Sequence, residues 1–146
     1  MKITIHSGQP IAETEITISC NQLTPEIEKI ISILRVIDKK LTGTKNGETY
    51  LIDINNVLYI DTVDKKTFIY TLDSVYETNL KLYELEEELA KADFFRANKS
   101  CIINFRQIVS LKADVDRRIR VTLTNKEQLI VSRQYAEYVK QRLGVK

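Results

Sequence analysis

Short segments in which polar and apolar residues alternate constrain the fold of this chain more than any other feature. They recur between residues 41 and 131, are rich in Ile, Val, Tyr, Phe and Thr, and are separated by turn-forming pairs such as Asn46-Gly47 and Asn125-Lys126. The predicted strands are 41–45, 48–52, 57–63, 67–72, 75–78, 94–96, 102–105, 108–112, 119–124 and 128–131. Because helices do not alternate regularly with these strands, the sequence predicts a mostly β, antiparallel domain with few short helices.

Two helices are predicted within this strand-rich region. Asn79 is a candidate N-cap for a helix from Leu80 to about Lys91, whose glutamates face solvent. Ser132 is a candidate N-cap for the last helix, which Gly144 ends. The apolar stripe of this last helix consists of Tyr135, Val139 and Leu143.

The first 38 residues form a separate small segment in this interpretation. Residues 2–6 and 13–20 alternate in the manner of strands and flank a turn-prone stretch around Gly8 and Pro10. Thr24 and Pro25 then open a predicted helix. Its apolar stripe is Ile27, Ile30, Ile31, Leu34 and Ile37. We therefore expect a small β-β-α segment at 1–38, which dimerises or receives a signal, ahead of the main domain at 39–146.

The net charge of +2 conceals an uneven distribution of charge along the chain. Residues 1–93 carry 10 basic and 16 acidic side chains, whereas residues 94–146 carry 12 basic and only 4 acidic ones. A region of +8 attracts polyanions, and phosphate neutralisation dominates non-specific binding to nucleic acid. Charge alone is equally compatible with a solvated basic surface.

The residues that catalysis or metal binding requires are scarce. His6 is the only histidine, Cys20 and Cys101 lack metal-ligand spacing, and no glycine-rich phosphate loop is present. The sequence thus predicts no enzyme, no metal site, no cofactor and no small-molecule substrate. Unpaired cysteines, the lack of a signal-peptide pattern and the lack of a membrane-length apolar run predict a cytoplasmic protein.

Several motifs occur in a fixed order in the second half of the chain. Residues 94–105 read FFRANKSCIINF, residues 108–111 read IVSL, and residues 130–135 read IVSRQY immediately before the last helix. Together with the strand VLYID at 57–61, these motifs resemble the LytTR-type DNA-binding family, and the match runs from about Lys39 to Leu143. The resemblance implies an elongated, mostly antiparallel LytTR-like β domain that contacts DNA through loops.

The resemblance also implies which residues read DNA. Carried onto this chain, the family's contacts fall on Lys65 and Lys66 in an early loop, on Asn98 and Lys99, and on Arg133. Arg can bind guanine through two hydrogen bonds, Asn can do the same for adenine, and Lys can serve a base or a phosphate. Asn98 and Lys99 replace the His and Arg that are frequent in the family, so we expect a different preferred DNA sequence.

Three arginines can also be judged from the residues alone. Arg133 at a helix start opposes the helix dipole, so an anion such as DNA is the expected partner. Arg96 is equally compatible with a structural ion pair and with a phosphate contact. Arg118, like its neighbours Arg117 and Arg120, fits either a phosphate contact or a solvent-facing strand.

These observations predict a transcriptional regulator that binds double-stranded DNA specifically, as a homodimer on promoter repeats. The 38 residues before the domain are too few for a receiver domain, so we expect a stand-alone regulator. Some relatives resemble partners of small inhibitory membrane proteins, which makes such a protein a candidate partner. The alternative is a protein-interaction module that uses the helix at residues 27–37. Salt should weaken DNA binding steeply and leave association through an apolar helix little changed or stronger.

Overall fold

The computed structural model describes residues 1–36 and 39–144, and within them the chain is mostly β. The helices are α1 (Pro25–Val36), α2 (Leu82–Leu89) and α3 (Arg133–Leu143). The strands are β1 (Lys40–Lys45), β2 (Glu48–Asp53), β3 (Val57–Val63), β4 (Lys66–Thr71), β5 (Val75–Thr78), β6 (Phe94–Asn98), β7 (Cys101–Asn104), β8 (Ile108–Ala113), β9 (Ile119–Leu123) and β10 (Gln128–Val131). No helix within these residues is long and apolar enough to cross a membrane.

The strands form two antiparallel sheets. The larger sheet has the order β2-β1-β5-β4-β3-β7-β6, and the smaller one has the order β10-β9-β8. The turn at Asn46 and Gly47 has both residues in the left-handed backbone region, as a tight hairpin turn requires. The predicted antiparallel, mostly β architecture is therefore confirmed.

The larger sheet has a hydrophobic core on each face. On one face, Leu82, Leu85 and Leu89 of α2 pack against a core that includes Ile60 and Ile102. Their spacing of three and four residues places the three leucines on one side of the helix. On the other face, the smaller sheet and α3 cover a core whose buried residues include Phe95, Ile103, Val121 and Val139.

Adjacent residues of one strand fill different cores. Phe94 and Ile102 belong to the core under α2, whereas their chain neighbours Phe95 and Ile103 belong to the core under the smaller sheet. Successive side chains of a strand point to opposite faces, so a strand covered on both sides is apolar throughout. This explains why the segment 101–104 is fully buried.

The two strands predicted at residues 2–6 and 13–20 are absent, so this part of the predicted β-β-α segment is wrong. Residues 1–24 are all exposed. An isolated two-stranded hairpin is marginally stable in water, and these tracts pair with no strand of either sheet. The predicted helix is present as α1, where the Ile27 N–H donates to Thr24 Oγ1 at 3.3 Å. Ile37 and Asp38, and with them the predicted domain boundary, lie outside the described residues.

The second predicted helix begins later than the sequence suggests. α2 starts at Leu82 rather than after a cap at Asn79, and residues 90–92 form a short 3-10 turn instead of continuing it. Thr78 Oγ1 accepts from the Leu80 N–H at 3.3 Å, a local hydrogen bond that competes with helix formation. The third helix begins after Ser132 and ends at Gly144 (φ 70°), as predicted.

Candidate nucleic-acid interface

The β3–β4 turn presents two of the predicted DNA-binding lysines. Asp64 and Lys65 occupy its centre, and both have left-handed backbone conformations, with φ of 52° and 66°. Lys66 begins β4, and its Nζ lies 3.9 Å from Glu77 Oε1 while two thirds of its side chain remains exposed. A lysine held in a left-handed conformation is uncommon, and such strain is frequent at functional sites.

The β6–β7 turn places Lys99 at its tip and uses Asn98 to hold its shape. Asn98 Oδ1 accepts from the Ser100 N–H at 2.9 Å and from Ser100 Oγ at 3.1 Å. Asn98 Nδ2 donates to the carbonyl of Ile130 on β10 at 3.1 Å. The amide expected to read a base is therefore engaged within the protein, whereas the side chain of Lys99 is exposed.

Arg96 lies behind this turn and supports it. Its NH1 donates to the Lys99 carbonyl at 2.8 Å, and its NH2 lies 3.4 Å from Glu86 Oε1 on α2. Only 15% of the side chain is exposed. Both hydrogen-bonded ends of the guanidinium thus serve the fold, which favours the structural interpretation of Arg96.

The start of α3 lies beside the same turn. The Ser132 N–H donates to the Ala97 carbonyl at 2.9 Å, which joins the helix start to β6. An open cavity of about 670 Å³ lies here. Its lining residues are Asn98, Lys99, Ser132, Arg133 and Gln134. The fold therefore brings together Lys99 and Arg133, which are 34 positions apart in the sequence.

A second cavity, of about 560 Å³, extends the surface from Arg133 to the β8–β9 turn. Its lining residues are Ala113, Asp114, Arg117, Arg118, Arg133, Ala136, Glu137 and Lys140. Arg133 lines both cavities, so the predicted residue Arg118 belongs to a surface continuous with Lys99. Lys140 was missed by the sequence analysis, although its position seven residues after Arg133 places both on one face of α3.

The β8–β9 turn is held by Asp114. Its Oδ1 accepts from the Val115 N–H at 2.8 Å, and its Oδ2 accepts from Arg120 NH2 at 3.0 Å. The backbone hydrogen bond, with a smaller contribution from Arg120, holds the pKa of Asp114 below its usual range. Arg120 therefore serves the fold, while Arg117, with φ of 62°, projects from the strained part of the turn.

The β3–β4 and β6–β7 turns, which we call the lysine turns, lie at one end of the larger sheet. The Thr62 N–H donates to the Ser100 carbonyl at 2.9 Å, and Asp61 of β3 is in register with Cys101 of β7. The β3–β4 and β6–β7 turns are thus adjacent, although Lys65 and Lys66 line neither of the two cavities.

Some cations of the fold lie close to carboxylates and others do not. Arg96, Arg106, Arg120 and Arg142 each have a carboxylate within 4 Å. Among the described residues, no carboxylate lies within that distance of five cations around the turns and α3. They are Lys65, Lys99, Arg117, Arg133 and Lys140. In the part of the chain that the structure describes, these five cations have no acidic neighbour at that distance to neutralise them, so they are free to attract an anionic partner.

A polar cluster lies beneath the smaller sheet. Tyr59 Oη donates to Glu127 Oε2 at 2.8 Å, and the rings of Tyr59 and Tyr70 stack with centroids 4.3 Å apart. Burial raises the pKa of Tyr70 to about 12 and that of the Cys101 thiol to about 12. Both groups are neutral at physiological pH, so Cys101 lacks the lowered pKa of a nucleophilic cysteine.

Comparisons with known proteins identify the family and the fold. The family described as the LytTr DNA-binding domain matches residues 47–144. A LytTr DNA-binding domain from Bacillus cereus superposes with a TM-score of 0.68 at 27% identity, over 72% of this chain and 96% of that one.

Full-length relatives extend the similarity beyond the domain. An HTH-type transcriptional regulator from Staphylococcus aureus strain MSSA476 is 27% identical over 147 residues, and one from the bovine strain RF122 is 28% identical. Each alignment covers 99% of both chains.

The described residues contain no helix-turn-helix, since strands separate each of their three α-helices from the next. The fold, the ordered motifs and the matched region lead to one conclusion. The chain belongs to the LytTr DNA-binding domain family.

Proposed function

We propose that this protein is a cytoplasmic transcriptional regulator that binds double-stranded DNA in a sequence-specific manner through its turns. The observation that carries the proposal is the group of five cations without carboxylate partners around two adjoining cavities and the β3–β4 turn. Membership of a DNA-binding family supplies the chemistry of the partner. In this proposal the protein binds DNA and does not catalyse a reaction.

The residues around the turns have different roles in this proposal. Arg133 and Lys99 reach base edges from the shared cavity, because Arg and Lys both donate to guanine in the major groove. Lys65 and Lys66 contact the same groove or its backbone from the adjacent turn. Arg118 contributes a phosphate contact at the far end of the surface. Asn98 and Arg96 act by holding the Lys99 turn in place rather than by reading bases.

Two copies bind repeated half-sites at a promoter in this proposal. One domain offers only a few base-reading side chains, and each mismatched base pair costs about 1–3 kcal/mol. A homodimer doubles the number of base pairs read and matches repeats about one helical turn apart. Control by a small inhibitory membrane protein stays a prediction from the family resemblance.

The experiment that tests the proposal measures affinity for a promoter site found by genome-wide footprinting. Arg133→Ala and Lys99→Ala should each weaken binding to that site by about 1–3 kcal/mol, since each variant removes a base contact. Lys40→Ala is the matched control, because Lys40 is an exposed cation at the opposite end of β1 from the turns. Fluorescence anisotropy with labelled duplex measures all three.

The same titrations repeated at several salt concentrations separate the two candidate functions. DNA binding releases counterions, so the affinity should fall steeply as salt rises, and Lys40→Ala should leave the slope unchanged. Association through α1, whose Ile27, Ile30 and Ile31 are half-buried, should vary little with salt. Parent-like affinity of both the Arg133 and the Lys99 variants would contradict the assigned site.

A further inference from the structure

The N-terminal residues 1–24 expose an unusual amount of apolar side chain. Ile3 and Ile5 are 77% and 84% exposed, and Ile16 and Ile18 are 66% and 40% exposed. These isoleucines alternate with polar residues, so in an extended chain each pair lies on one side. Brought together on one surface, such exposed isoleucines would form the kind of apolar patch that marks an interaction site.

The surface area of the whole chain shows how much surface is available for an interface. Its accessible surface is 10752 Å² for a mass of 16.9 kDa, whereas a compact monomer of that mass exposes about 7,700 Å². The surplus of about 3,000 Å² greatly exceeds the roughly 800 Å² that each partner buries in a stable interface.

The charges of the two tracts identify the partner. The first tract, residues 2–6, carries Lys2 and no acid, and the second tract, residues 13–20, carries Glu13 and Glu15 and no base. Each tract thus complements the other, and every copy of the chain supplies both. Within the part of the chain that the structure describes, the two tracts do not pair with each other or with either sheet.

We propose that residues 1–24 of two copies exchange strands, so that the first tract of one copy pairs with the second tract of the other. Such pairing satisfies backbone hydrogen bonds that an isolated strand leaves to water, and two such pairs form a four-stranded sheet. Its isoleucine face then packs on the α1 helices, whose apolar residues are only half-buried in one chain. The full-length relatives match this segment as well, although it lies outside the DNA-binding domain.

Sedimentation equilibrium of the full chain tests the exchange. The parent should dimerise, and Ile16→Asp combined with Ile18→Asp should be monomeric, because the charges replace the apolar face of the strand. Thr17→Asp combined with Ser19→Asp is the matched control, since it adds the same charge to the opposite face and should leave the dimer intact. A monomeric parent at all concentrations, or a dimeric isoleucine variant, would overturn the proposal.

Hydrogen exchange and a charge swap test the pairing itself. The amides of residues 13–20 should become protected as the parent concentration rises, and lasting lack of protection in a dimer would place the interface elsewhere.

Lys2→Glu and Glu13→Lys/Glu15→Lys should each dimerise poorly alone and recover when mixed, because only the mixed dimer restores opposite charges in both strand pairs. No recovery on mixing would overturn the tract-to-tract pairing.

The readouts of this proposal are independent of DNA. The isoleucine variant should bind a single half-site as the parent does, since the turns and α3 lie outside the segment. Failure of the parent to bind any duplex would contradict the regulatory function and leave the strand exchange standing.

Discussion

The guanidinium of Arg96 connects the acidic helix α2 with the turn that carries Lys99. Its two terminal nitrogens hydrogen-bond to Glu86 and to the Lys99 carbonyl. A half-buried arginine that hydrogen-bonds to the Lys99 carbonyl limits where the Lys99 side chain can point. We therefore predict that Arg96 is a positioning residue, which affects DNA binding through the placement of Lys99.

A double-mutant cycle between Arg96 and Lys99 measures this dependence. Arg96→Ala should weaken DNA binding in the parent, because the turn loses its support. The same change should cost less in Lys99→Ala, where no lysine remains to be misplaced, which gives a coupling above about 0.5 kcal/mol. Glu86→Ala, which removes only the ion pair on α2, is the control. Additive losses of affinity in the cycle would contradict the positioning role.

Asp61 is predicted to reduce the stability of the fold at neutral pH. Its Oδ1 is buried without a hydrogen-bond partner among the described residues. Burial raises the pKa of Asp61 above its ordinary value of 3.8, and the hydrogen bond from Tyr70 only partly opposes this. The pKa of Asp61 is thus higher in the folded state than in the unfolded state. As pH rises from the unfolded pKa through the folded pKa, ionisation of Asp61 lowers the free energy of unfolding.

Asp61→Asn should therefore raise the melting temperature at neutral pH, since it removes the buried charge and still offers Tyr70 an acceptor. The gain should shrink as pH falls towards 3.8, where the parent carboxyl is protonated. Thermal unfolding followed by circular dichroism over this pH range measures both effects. Asp64→Asn, at an exposed turn position that tolerates Asn, is the control. A melting temperature lower than that of the parent would refute the prediction.

At the scale of elements, the strands of the domain were largely predictable and the N-terminal tracts were not. β3, β5 and β10 begin and end where the alternation predicts, because each is flanked by strong turn signals and has a neighbour to pair with. The tract at residues 13–20 alternates equally well but pairs with no strand among the described residues. Alternation reports which side chains can share a face, and pairing decides whether the strand forms.

The sequence predicted which segments carry the candidate residues, and the roles of these residues in DNA binding stay predictions. The motif order identified the two lysine turns and the start of α3, and the structure places Lys99 and Arg133 at one cavity. Arg96 and Asn98 could not be assigned from sequence, because their hydrogen bonds to Lys99 and Ile130 depend on how β6, β7 and β10 meet. Arg117 and Lys140 extend the surface because the fold brings the β8–β9 turn next to α3.

At the scale of the whole molecule, the larger sheet separates the two hydrophobic cores. It also separates the basic turns at its end from the acidic helix on its face. One end of that sheet carries the lysine turns, while α2 covers one face with a glutamate-rich surface. The acidic first part of the chain therefore contributes Lys65 and Lys66 to the basic surface. The net charge of residues 1–93 does not reveal this contribution. It arises because β3 brings the β3–β4 turn next to the β6–β7 turn.

The two hydrophobic cores share the strands of the larger sheet, and this predicts a single unfolding transition. Leu85 lies in the core under α2 and Leu123 in the core under the smaller sheet, and both are fully buried. Leu85→Ala and Leu123→Ala should each lower stability by about 2–5 kcal/mol. Either loss also weakens β3, β6 and β7, whose alternate residues fill both cores, so neither core can unfold alone.

Thermal unfolding of both leucine variants measures this coupling, with far-UV circular dichroism and tyrosine fluorescence as separate probes. The stacked Tyr59 and Tyr70 report on the core under the smaller sheet, whereas Tyr76 packs against the core under α2. Coincident curves are expected for every variant, because strands common to both cores transmit the loss of either one. Thr122→Ala, whose side chain lies on the other face of β9 from Leu123, should shift the transition least. Two separate transitions in Leu123→Ala would mean that the sheet divides the molecule into independent units rather than joining it.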